Sequence, residues 1–98
     1  MPGVRFEWDA AKEVENRRRH HVSFVEAESV FTDEFALLVN DPEHSDDEAR
    51  FVLMGLSAKL RVLVVVHAYR EAAGIIRLIS ARKANGRERA NYNRRWQI

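Results

Sequence analysis

Leu60-Arg61-Val62-Leu63-Val64-Val65-Val66-His67-Ala68-Tyr69, followed by Arg70-Glu71-Ala72-Ala73-Gly74 and then Ile75-Ile76-Arg77-Leu78-Ile79-Ser80-Ala81-Arg82, decides the fold. The first stretch is rich in β-branched residues, which pack well on a pleated surface. The second is a turn ending in glycine, and the third is again apolar. Two such runs joined by a short turn form an antiparallel hairpin.

Working outward, Arg50 to Ser57 reads as the strand before this hairpin, reached by a tight turn at Ala58-Lys59. Phe35 to Val39 is a further apolar strand. Asn40 to Ala49, with Asp41-Pro42, is a polar, acidic loop. At the N-terminal end, Val4-Arg5-Phe6-Glu7-Trp8 alternates apolar and polar residues, the pattern of a short strand.

Helices fill the remaining stretches. Asp9 is placed as an N-cap for a helix over Ala10 to His20. Its apolar stripe, Ala11 and Val14, is weak. Lys12, Asn16, Arg19 and His20 share its other side. Ser23 and Glu26 have capping-box spacing for a second helix to about Phe31, burying Phe24, Ala27, Val30 and Phe31. Asn85 and Glu88 repeat that signal for a basic helix from Gly86 to about Arg95. The order is β-α-α-β-β-β-β-α. It predicts an α+β fold with an antiparallel sheet, helices packed on one face and a basic C-terminal helix.

The 98 residues suit one domain, 1–98, rather than two. No cysteine is present, which removes disulfides, thiolate metal ligands and a cysteine nucleophile. The N-terminus has no signal-peptide pattern, and no apolar run approaches the ~20 residues of a membrane span. A cytoplasmic protein without a membrane partner is expected. The net charge of +1 conceals a segregation. Residues 26–49 carry nine acids and no Lys or Arg, whereas residues 77–98 carry seven Lys or Arg and one acid, Glu88. That basic end suits a polyanion, and it equally suits a solvated basic helix paired with an acidic neighbour.

Several residues could carry chemistry. His67 is either a proton-transfer group or a hydrogen-bonded structural histidine. Arg77 and Arg82 can each hold a phosphate through the guanidinium fork. The hairpin brings residues 77–79 level with His67. Five residues apart, the two arginines face opposite sides of an unbulged strand, so only one shares a face with His67 unless the strand is bulged. Arg87, Arg89, Arg94 and Arg95 surround Tyr92 and Trp96, a mixture that grips phosphate while stacking bases. Trp96 is expected in the core, and Tyr92 suits either role. Asp41, Glu43, His44, Asp46, Asp47 and Glu48 have no EF-hand spacing and read as a solvated loop. No Walker loop, GxGxxG or nucleophile elbow is present.

Taken together, Phe6-Glu7-Trp8-Asp9, Lys12, Asn16, His20 and Val22-Ser23-Phe24 resemble the opening of BrnT-type toxins. Asp41-Pro42-Glu43-His44-Ser45, with Glu48, Arg50 and Phe51, is similar to a second block of that family. Val64 to His67, Ile76 to Ala84, Glu88 and Tyr92 resemble a third. Two positions depart from the pattern: His21 stands where the family usually has glycine, and Arg17 where it tends to an apolar residue.

The resemblance implies a RelE-like fold and a ribonuclease toxin of a type II toxin–antitoxin pair that inhibits translation. It also implies a BrnA-type ribbon-helix-helix antitoxin as partner, with operator DNA bound only through the complex. The reaction expected is metal-independent RNA cleavage by 2′-OH attack, with no cofactor. His67 would be the base or acid, Arg77 or Arg82 would hold the phosphate, and Tyr92 would stack a base or donate a proton. Lys12, Lys83 and Arg89 would add grip on the RNA. The competing readings are a non-catalytic module whose basic face binds RNA or the antitoxin, and a metal-dependent nuclease built on the acidic loop.

Overall fold

The computed structural model describes residues 4–40 and 49–96, apart from the side chains of Glu71 and Trp96. The acidic-loop residues 41–48 and the expected core position of Trp96 lie outside this description. Five strands form one sheet: β1 (Arg5–Glu7), β2 (Leu37–Asn40), β3 (Arg50–Leu56), β4 (Val62–Arg70) and β5 (Ile75–Lys83). The helices are α1 (Ala10–His20), α2 (Phe24–Ser29) and α3 (Gly86–Asn93). The spatial order is β1-β5-β4-β3-β2.

The sheet is mixed rather than antiparallel throughout. β1 runs parallel to β5, with Phe6 opposite Ile76 and Glu7 opposite Arg77. The long excursion through α1 and α2 separates β1 from its partner, so no hairpin constrains its direction. The β2–β3, β3–β4 and β4–β5 pairs are antiparallel.

The helices divide between the two faces, correcting the expectation of a single helical layer. On one face Val22, Phe24, Ala27 and Val30 pack against Leu53, Leu63, Val65, Ile76, Leu78 and Ala81. On the other, Tyr92 of α3 packs against Met54, Val64 and Ala84. The alternation of β3 and β4 supplies both faces, because successive side chains point to opposite sides.

Local signals account for the ends of the helices. Asp9 accepts from the Lys12 amide at 3.0 Å, and Asn85 with Glu88 forms a full capping box. Ser23 caps α2 by accepting from the Glu26 amide at 3.0 Å. The Glu26 carboxylate does not complete a capping box. It is buried and binds Ser57 and Arg61 instead. Burial alone would raise its pKa, but the hydrogen bonds from Arg61 and Ser57 hold it below the ordinary value.

Helix α1 is anchored by polar contacts. Val14 is exposed and the buried residue of the helix is Asn16. Its Nδ2 donates to the Val22 and Ala81 carbonyls, each at 2.9 Å, and its Oδ1 accepts from the Ala81 amide at 3.0 Å. β1 pairs with β5 only as far as Arg77, so among the described residues the edge of β5 beyond it has no strand partner. The Asn16 amide supplies the donor and acceptor that a strand would have provided. Gly55 marks another close approach: a Cβ there would stand 2.9 Å from both Ala36 Cβ and Val30 Cγ1.

Candidate nucleic-acid interface on the arginine face

The register of the central hairpin decides which side chains can act together. Val66 lies opposite Ser80 but His67 lies opposite Leu78, so Ile79 is an extra residue in β5. Such a bulge reverses the alternation beyond it. Arg77 and Arg82 therefore point to the same side of the sheet, despite their odd separation. Ile76, Leu78 and Ala81, packed in the helical core, mark the opposite side.

His67 points with Leu78, away from both arginines. Its ring meets Phe31 edge-on at a centroid distance of 4.8 Å and stacks on Phe51 at 5.8 Å. It is only 4% exposed, and its Nδ1 is buried with no hydrogen-bond partner among the described residues. Burial pushes the imidazole pKa below its ordinary value, against a weaker opposing pull from the Val65 backbone. A phosphate on the arginine face is out of this ring's reach. The sequence-level choice between Arg77 and Arg82 as its neighbour has the answer that neither is.

Tyr92 is 1% exposed and donates to Asp33 Oδ2 at 2.6 Å. Asp33 also accepts from the Leu56 and Phe35 amides, at 2.8 and 3.0 Å. Burial would raise the Asp33 pKa; these hydrogen bonds pull it below the ordinary value. Of the two roles the sequence allowed Tyr92, the observed packing is that of a core anchor fixing α3.

Among the described strand residues, Arg5, Arg50, Arg70, Arg77 and Arg82 point to one side of the sheet, with one acid, Glu7. By register, Arg50 of β3, Ala68 of β4, Arg77 of β5 and Glu7 of β1 form one row across this side. Arg70, Ile75 and Arg5 form the next row. Two strand spacings, roughly 10 Å, separate the Arg50 and Arg77 backbones. Ser80 and Arg82 extend the face toward α3. Arg82 holds Glu88 with both guanidinium ends, at 2.8 and 2.9 Å. This pairing pulls the Glu88 carboxyl down to about 2.

The remaining predicted contacts lie around the margin. Lys12 lines a small groove with Glu15, Asn16, Arg19, His20, Ile79 and Ser80, where α1 passes the bulge. The shared side predicted for Lys12, Asn16, Arg19 and His20 is the side that faces this groove. Arg89 donates to the Ala84 carbonyl at 2.9 Å. Lys83, opposite Leu63, belongs to the other face. Arg5, Arg50 and Arg70 share the face of Arg77 and Arg82 and were not among the site residues expected from the sequence. The alternation in Val4-Arg5-Phe6-Glu7-Trp8 carried a signal for Arg5, whereas Arg50 and Arg70 needed the register. Among the described residues, no three His, Asp or Glu side chains gather closely enough to hold a metal ion, and no helix is long and apolar enough to cross a membrane.

An α+β fold whose described strands turn five arginines to one sheet face defines a candidate polyanion-binding protein. Residues 8–88 match the family described as the ribonuclease toxin, BrnT, of type II toxin–antitoxin systems, and the chain belongs to that family. The structure is similar to the crystal structure of the Brucella abortus ribonuclease toxin BrnT, with a TM-score of 0.62 at 20% identity. The alignment covers 84% of this chain and 97% of that one. No curated protein matches the sequence. The chain is thus a ribonuclease toxin by family, with an antitoxin as its partner and RNA as its substrate.

Proposed function

We propose that residues 1–98 act as one RelE-like toxin domain that cleaves RNA without a metal ion, on the arginine face. The ribose 2′-OH attacks the adjacent phosphorus, and a 2′,3′-cyclic phosphate and a free 5′-OH result. Negative charge grows on the phosphoryl oxygens, so preorganised cations there lower the barrier. Arg77 and Arg82 hold those oxygens, and Arg50 and Arg70 hold the neighbouring phosphates. Lys12 and Arg89 grip the RNA where it leaves the face, whereas Lys83, on the other side of the sheet, is not placed to do so. His67 and Tyr92 serve as positioning residues, one beneath β4 and one beneath α3.

The single observation that carries this reading is the bulge at Ile79, which aligns Arg77 with Arg82. Cleavage of cytoplasmic messages then blocks translation. The bidentate Arg82–Glu88 pair has a further use. A carboxylate already fits this fork, so an acidic segment of a BrnA-type antitoxin can occupy the same face. The ribbon-helix-helix part of that antitoxin would bring the complex to operator DNA.

The test uses purified protein, RNA with mapped ends, and EDTA. Cleavage that persists in EDTA and leaves cyclic phosphate is expected. Arg77→Ala should reduce it by roughly 100- to 1000-fold, the usual loss for one donor to a developing oxyanion. Intact RNA beside a tight antitoxin complex would instead favour a non-catalytic binding module. Loss of cleavage in EDTA would favour metal-dependent chemistry.

A further inference from the structure

A face built only of cations would bind RNA without starting its cleavage, since 2′-OH attack needs a proton acceptor. Among the described strand residues on this face, register places one carboxylate, Glu7. It lies directly beside Arg77, in the row that runs through Ala68 to Arg50. The packing of Phe6 and Ile76 into the helical core fixes the orientation: the residues after them, Glu7 and Arg77, point the other way. Glu7 is exposed, as a group that meets substrate must be. Among the described residues, Glu88 also lies close to these arginines, but it is held by both ends of Arg82 and by its own capping box. His67 faces the helical core.

We propose that Glu7 is the general base of the cleavage reaction, a role that rests on the RNA-cleaving reading above. One carboxylate oxygen takes the proton of the ribose 2′-OH as that oxygen bonds to phosphorus. The bond from phosphorus to the 5′-oxygen breaks, and the departing oxygen takes a proton from water. Glu7 then returns its proton to solvent, so the transesterification is balanced. Arg77 in the adjacent strand holds the phosphoryl oxygens at the same point on the face. Proton acceptor and charge stabiliser are thereby fixed to each other by the parallel β1–β5 pairing.

The experiment compares the full-length chain with Glu7→Gln and Glu7→Asp, on an oligonucleotide carrying a single ribonucleotide. Cleavage rate, affinity and thermal unfolding are measured together. Glu7→Gln should cleave about 100-fold more slowly or worse. It should bind the oligonucleotide as tightly as the parent or more tightly, because a negative charge has left a cationic face. The acid limb of the pH–rate profile should vanish with Gln and return with Asp. Glu7→Gln cleaving within about threefold of an active parent, with an unchanged profile, overturns the assignment while leaving the RNA-cleaving reading standing. Parallel loss of binding and cleavage also overturns it, by making Glu7 a structural partner of the arginines. An inactive parent overturns both.

Discussion

Replacing Asn16 with alanine tests how α1 is coupled to the arginine face. The substitution removes two donors and one acceptor, and it strands the Ala81 N–H, the Ala81 carbonyl and the Val22 carbonyl. A buried polar group left without a partner costs about 1–3 kcal/mol. A small groove lined by Lys12, Arg19 and Ser80 adjoins the site, and water entering it after truncation would reduce the sum. The expected loss is therefore about 3 kcal/mol, out of a total of about 5–15 kcal/mol for a domain. For a domain of this size that lowers Tm by roughly 12–24 °C.

Urea and thermal unfolding followed by circular dichroism measure this directly. Asn16→Asp sharpens the test. It keeps the acceptor for the Ala81 amide but directs a carboxylate at two carbonyls. At neutral pH it should be less stable than Asn16→Ala. The introduced carboxyl should have a folded-state pKa raised above its unfolded value. Its handicap therefore shrinks as pH falls through that folded value, where protonation restores one donor. A loss below about 1 kcal/mol for Asn16→Ala, or a pH-independent gap between the variants, would refute the proposed coupling of α1 to β5.

Three further outcomes are expected. His21 closes α1 in the left-handed region, at φ 58° and ψ 33°, so His21→Gly should stabilise the protein by about 1 kcal/mol in urea unfolding. Glu88, pulled down to about 2, adds stability that is complete above its ordinary 4.5 and is lost as pH falls toward 2. Because the pair is partly exposed, that contribution is about 1 kcal/mol, and acid titration of Glu88→Gln should lack it. His67, pushed below its ordinary 6.5, should make the fold lose stability as pH drops below that value. The unfolded chain then takes up a proton that the buried ring refuses. The slope reaches at most about 1.4 kcal/mol per pH unit, and His67→Leu should flatten it in unfolding measured from neutral to mildly acidic pH.

Much of the fold was legible because its signals are local. Asp9, Ser23 and Asn85 cap helices through their own neighbours, and the β4–β5 hairpin follows from two β-branched runs around a turn. The left-handed backbone at His21 coincides with the position where the resembled family usually has glycine. Glu26 shows the limit of such signals. Its spacing from Ser23 suited a reciprocal cap, but Arg61 and Ser57, distant in sequence, are its partners.

The sequence by itself determined the strands and helices, the cationic C-terminal end and the family, since each depends on residue types at short spacing. Tertiary structure alone decided that β1 lies parallel to β5, that α3 covers the second face, and that His67 turns from the arginines. The cause of the last is one extra residue, Ile79, between Ser80 and Leu78. Side chains alternate with a period of two, so a one-residue offset reverses every assignment beyond it. The bulge leaves only a faint mark in the pattern, a three-residue step from Arg77 to Ser80 and from Leu78 to Ala81 where the period is otherwise two. Only pairing with β4, and the Asn16 amide closing the edge at Ala81, fix where it falls.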